Sequence, residues 1–221
     1  MATSVRTGHG VAAQATGLEK LTGWAGRHRR RLSWGIGILV VAGGLFGWKR
    51  VSTRQSERIA SQQLNSARFA LESKNYGLAA SELARIRENY SGTRSANEAS
   101  ILLAQVRLAQ GQSQQVIELL KQVAPEAHAD YRSQAYGLLG AAYENIGHPK
   151  EAAEAYDAAA GHARLPFLRA QFLSDAGRAW LAAGDTVHAR ANYQEIVTNL
   201  DSTTTAVEAK VRLGELDRGS N

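Results

Sequence analysis

The chain has 221 residues, 44% of them hydrophobic and only three of them proline, which excludes a collagen-like or low-complexity chain. It has no cysteine, so disulfides, thiolate metal sites and cysteine nucleophiles are excluded too. The net charge of +6 is concentrated: residues 1–50 hold eight of the 26 basic residues and one of the 20 acids. Residues 51–221 are therefore left at −1, without the basic surface that a nucleic-acid-binding domain needs.

Residues 1–31 read as a basic N-terminal segment. Its first 17 residues are small and polar and are expected to be disordered. Leu18, Leu21 and Trp24 then recur at helical spacing beside Arg27 and the run Arg29-Arg30-Arg31. That pattern suits a short interfacial helix against anionic headgroups, and equally a plain stop-transfer flank.

Residues 32–48, LSWGIGILVVAGGLFGW, carry no charge. As a helix they span about 26 Å, slightly less than a hydrocarbon core of roughly 30 Å. Trp34 and Trp48 fall at the two ends, where an aromatic belt sits. Arg27, Arg29, Arg30 and Arg31 on one side, and Lys49 and Arg50 on the other, reach the headgroups and cover the deficit. No small-x-small cleavage site follows the run, so an uncleaved transmembrane helix over residues 32–50 is expected rather than a signal peptide. Counting Lys20 with the N-terminal group against Lys49, Arg50, Arg54 and Arg58, the positive-inside rule favours a cytoplasmic N-terminus by five to four. Gly43 and Gly47 form a G-x-x-x-G pair, and Ser33 and Gly37 a second small pair. Such spacing lets another helix, from this protein or a different one, approach closely.

From residue 51 onward the composition is dense in Ala, Leu, Glu, Gln and Arg, all good helix formers. An internal repeat runs through it. With Ser133 as position 1, Tyr136, Leu139, Gly140, Tyr143, Gly147, Ala152, Tyr156 and Ala159 occupy positions 4, 7, 8, 11, 15, 20, 24 and 27. Thirty-seven residues on stand Leu173, Ala176, Gly177, Trp180, Gly184, Ala189, Tyr193 and Ile196, the last too large for its place. Upstream, Gly111 takes position 15 with Leu103, Ala104, Val116, Leu120 and Val123 around it. One period earlier Lys74 stands in place of the glycine, among Ala67, Ala70, Ala79, Leu83 and Ile86. This is the grammar of tetratricopeptide repeats. Small residues at 8, 20 and 27 let helices approach, large ones at 4, 7, 11 and 24 fill between them, and the glycine at 15 ends the first helix.

The fold class predicted is therefore all-α: one N-terminal transmembrane helix, then an α-solenoid of about four helical hairpins closed by a capping helix over residues 51–221. Helices are predicted near 53–73, 76–90, 95–110, 112–124, 130–146, 149–161, 167–183, 185–199 and 203–216. Val51–Gln55 contains no Gly or Pro, so the first repeat helix is expected to run on from the membrane helix with little break.

No catalytic motif, phosphate loop, dinucleotide fingerprint or metal spacing is present, so neither an enzyme nor a cofactor is expected. His148, Glu151, Glu154 and Asp157 share one region but read as a solvated helix face. The chemistry falls to the concave surface lined by the first helix of each repeat. Positions 2, 5, 9, 12 and 13 supply Glu98, Gln105, Leu108, Gln134, Glu144, Asn145, Gln171, Arg178 and Leu181, a polar surface with small apolar patches suited to a protein segment. Repeats that clamp an acidic chaperone tail carry Lys and Asn at positions 5 and 9; Gly137, Ala141, Ser174 and Arg178 stand there instead.

The layout resembles the bacterial ancillary subunit of the SecYEG translocon. The resemblance rests on the basic stretch and anchor, on Ser91-Gly-Thr-Arg-Ser-Ala96 before Leu102-Leu-Ala-Gln105, and on Gly177-Arg-Ala-Trp-Leu-Ala-Ala-Gly-Asp185 with Ala189-Arg190. The closing Ala209-Lys-Val-Arg-Leu-Gly-Glu-Leu216 also fits it. The resemblance implies a single-pass inner-membrane protein with a periplasmic repeat domain and, as partners, the translocon and periplasmic chaperones. The N-terminal extension of about 30 residues is longer than the short cytoplasmic end this family implies.

Overall fold

The structure is a computed structural model that describes the backbone of residues 29–219 and the side chains of residues 51–218. Nine helices follow one another among the described residues: α1 (Arg29–Glu72), α2 (Tyr76–Asn89), α3 (Arg94–Ala109), α4 (Ser113–Val123), α5 (Ala129–Asn145), α6 (Pro149–His162), α7 (Pro166–Ala182), α8 (Thr186–Asn199) and α9 (Thr205–Gly219). The four repeats are α1–α2, α3–α4, α5–α6 and α7–α8. The backbone of α1 is one unbroken helix from Arg29 to Glu72. Among the described residues no helix is long and apolar enough to cross a membrane. The side chains of the charge-free run 32–48 lie outside the described residues.

The first helix of every repeat ends in the same way. Lys74, Gly111, Gly147 and Gly184 adopt φ of +58°, +73°, +74° and +80°. The next N–H in each case turns back into the helix: Asn75 to the Ala70 carbonyl (2.9 Å), Gln112 to Arg107 (2.8 Å), His148 to Tyr143 (3.0 Å) and Asp185 to Trp180 (2.9 Å). These bonds satisfy carbonyls that the helix end would otherwise leave unpaired. Lys74 thus takes the glycine conformation with a side chain present, at a cost of roughly 1 kcal/mol. The residue after the turn starts the second helix, and in two repeats it caps it: Asn75 accepts from Leu78 N–H at 3.2 Å and Asp185 from His188 N–H at 3.0 Å.

The helices of one repeat meet where the sequence places its small residues. A Cβ on Gly140 would stand 2.7 Å from the Tyr156 ring, and one on Gly177 2.7 Å from that of Tyr193. The aromatic ring at position 24 therefore packs directly on the backbone at position 8, closer than a Cβ there would allow. Two buried clusters result. The first gathers Leu64, Ala67, Leu83, Ile86, Leu103, Val116 and Leu120. The second gathers Tyr156, Leu173, Trp180, Tyr193, Ile196 and Ala206. Tyr143 packs against both. Ile196, expected to be too large, is fully buried, as is Ile86 at the same repeat position. The closing helix α9 buries Ala206 and Ala209 and packs Leu213 and Leu216. Val211 is 54% exposed, because the 3–4–3 spacing of those four residues defines a different face.

Each repeat packs its second helix on the first helix of the next, and links between first helices add to this. Glu57 on α1 accepts from the backbone N–H of Arg94 (2.7 Å) and the hydroxyl of Ser95 (2.6 Å), capping α3 from the preceding repeat. The Phe172 ring of α7 covers Gly137 of α5, where an added Cβ would meet it at 2.4 Å. The backbones of α3 and α5 pack directly on one another, as do those of α7 and α9.

Candidate partner-binding groove

The first helices turn one face of each toward a shared surface, and the structure shows what that face presents. Two of its carboxylates are already claimed. Glu98 pairs with Arg68 of α1 and accepts the Tyr131 hydroxyl of α5 at 3.2 Å. Glu144 pairs with Arg178 of α7 and accepts the Tyr156 hydroxyl at 3.0 Å. Arg178 also binds Asp175 at 3.1 Å, and Asp175 accepts from Gln171 at 3.3 Å. Burial, followed by the Glu144 charge, pushes the Tyr156 phenol well above its ordinary range, so it remains a donor to that carboxylate.

Four of the nine residues expected to line the groove, Glu98, Glu144, Gln171 and Arg178, are therefore engaged by side chains of their own or neighbouring helices. Gln105, Gln134 and Asn145 are exposed. Leu108 and Leu181 are half-buried and pack against the first and second clusters. Position 5 contributes little to the surface: Ile101 is buried, Gly137 lies under Phe172, and Ser174 is buried. Sequence reasoning missed Arg68 and Tyr131, which complete the Glu98 cluster. The signal was available, since Arg68 and Glu98 stand at positions 9 and 2 of consecutive repeats.

A second line of charges follows the N-terminal ends of the same helices. The Arg94 side chain meets Asp130 at 2.6 Å, and Asp130 meets Arg164 at 2.9 Å. The Arg94 guanidinium lies 6.0 Å from the centroid of the Tyr131 ring. Exposed pairs of this kind each contribute about 0–1 kcal/mol to stability. With these pairs in place the groove carries balanced charge and offers mainly carboxamides. Amides both donate and accept, which matches the backbone of an extended segment without a demand for charge.

The residues expected to pack or orient a transmembrane helix (Ser33, Gly37, Gly43, Gly47, Arg27, Arg29, Arg30, Arg31, Lys49 and Arg50) have side chains outside the described residues. Among the described residues no group of three His, Asp or Glu is placed to hold a metal ion.

The sequence model of the tetratricopeptide repeat-like domain family matches residues 52–166, and the chain belongs to that family. Such domains are interaction scaffolds that bind protein partners. Two solved structures share the fold, both of nearly identical TPR-like repeats from a kinesin light chain candidate of Podosopora anserina. One matches with a TM-score of 0.56 and 20% identity over 75% of this chain and 88% of its own. The other, a glutamine-to-methionine variant of the first, matches with the same score and identity over 75% and 87%. No curated protein matches the chain significantly.

Proposed function

We propose that the protein is a membrane-anchored interaction scaffold that assists protein export or envelope assembly at a bacterial inner membrane. In this reading residues 32–48 cross the bilayer, the N-terminus is cytoplasmic, and the repeat array is periplasmic. The observation that carries it is α1: one unbroken helix, Arg29–Glu72, joins the charge-free run to the first repeat of a partner-binding array. The basic residues flanking that run and the resemblance to the ancillary translocon subunit support the same reading.

Purification of the tagged protein in mild detergent tests it. Co-purification of SecY-type subunits is expected. Their absence together with recovery of a different complex would sink the translocon assignment. A phosphatase fused to the C-terminus is expected to be active, and an inactive fusion would reverse the topology.

The small-residue pairs Ser33/Gly37 and Gly43/Gly47 favour a second reading, an accessory subunit that stabilises another membrane complex through its anchor and N-terminal segment. Deleting residues 1–31 separates the two. Loss of association would select the accessory role, and retention would leave the groove as the binding element.

A further inference from the structure

On the face of α5 opposite the groove, a cavity of about 280 Å³ opens between α4 and α6. Its floor is apolar, built from Leu120, Leu139 and Ala155. Tyr136 and Tyr143 form its walls. Each ring stacks with an imidazole, Tyr136 with His162 at 5.6 Å between centroids and Tyr143 with His148 at 6.4 Å. Glu151 and Glu154 stand on the rim, and Lys121 brings a cation to it. His148 engages Glu151 at 3.3 Å, whereas Glu154 is exposed.

The cavity has a cause in the sequence. Helix α4 has 11 residues where the second helices of the other repeats have 14, and Pro125 prevents its extension. Ala155, at repeat position 23, is too small to reach across to α4. The equivalent gap between α6 and α8 is closed: Asn192, also at position 23, donates to Asp157 at 2.7 Å, and Trp180, at the position of Tyr143, donates to the same carboxylate at 2.7 Å.

We infer that this cavity is a second binding site, on the convex side of the array, for an arginine side chain of a partner peptide. A guanidinium is flat enough to lie against the tyrosine rings and apolar enough in its stem to cover the floor. Its fork of donors meets the carboxylates of Glu154 and Glu151. The chain already makes this arrangement elsewhere, where Arg94 lies over Tyr131 and pairs with Asp130 at 2.6 Å. The site is separate from the groove, so it stands or falls independently of the export reading.

The test is a titration of the full chain in detergent micelles with the peptide acetyl-Gly-Arg-Gly-amide. The methyl signals of Leu120, Leu139 and Ala155 are followed by NMR. Those three are expected to move together, with saturable binding that weakens about tenfold in Glu154→Gln, an exposed change that leaves the fold intact. Ala155→Leu, which fills the floor, is expected to abolish the response. Lys121→Ala is expected to tighten binding about threefold by removing the like charge. Equal binding of the citrulline analogue, an unchanged affinity in Glu154→Gln, or a response confined to the groove residues would each overturn the inference.

Discussion

The gap between α4 and α6 and the gap between α6 and α8 are built from the same three repeat positions and end in opposite states. In the second, Asp157 collects hydrogen bonds from Trp180 and Asn192, and Trp180 is only 7% exposed. In the first, Lys121, Tyr143 and Ala155 occupy the corresponding places and leave a cavity. The lesson is that a repeat fixes which helices meet at their small residues, but not whether the spaces behind them are filled. That depends on combinations of side chains contributed by three helices.

The comparison can be broken most forcefully at Trp180. Trp180→Ala is expected to cost about 3–5 kcal/mol in urea unfolding, whereas Tyr143→Ala, whose ring borders open space, is expected to cost about 1–2 kcal/mol. Equal losses would mean that both gaps are packed alike. Gly140→Ala is expected to cost about 1–3 kcal/mol, since Tyr156 presents the base of its ring to the new methyl and is held by Glu144. Asp157→Ala leaves the Trp180 N–H and the Asn192 amide without their acceptor and is expected to cost about 1–2 kcal/mol. Asp157→Asn should recover part of that loss, and if it does not, hydrogen bonding is not what closes the gap. The smallest effect is a gain. Lys74→Gly is expected to stabilise the array by at most about 0.5 kcal/mol, because the left-handed strain relieved slightly exceeds the added chain entropy of glycine.

Much of this architecture could be read from residue types alone. Gly111, Gly147 and Gly184 marked three helix ends, and Lys74 was legible as the fourth because the spacing required one there. The pairing of Gly140 with Tyr156 and of Gly177 with Tyr193 followed from their repeat positions. Helix limits agreed with the periodic pattern to within one or two residues, apart from the start of α1 at Arg29 and the end of α9. The groove was legible as a face but not as a chemistry. Glu98 and Glu144 looked available for a partner because nothing local to α3 or α5 claims them. Their partners Arg68 and Arg178 arrive from other repeats. The cavity was not legible at all, because it depends on α4 being short and on Ala155 being small at once.

The balanced charges of the groove also bear on how quickly it finds what it binds. With Glu98 and Glu144 each held by an arginine, the surface projects little field beyond contact distance. A partner would then arrive by unassisted diffusion, at an association rate of about 10⁵–10⁶ M⁻¹s⁻¹ that changes little with ionic strength. Selectivity would reside in how long a segment stays rather than in how often it arrives. Arg68→Gln would uncover Glu98 and shift that balance, increasing the salt dependence of a step that otherwise has little.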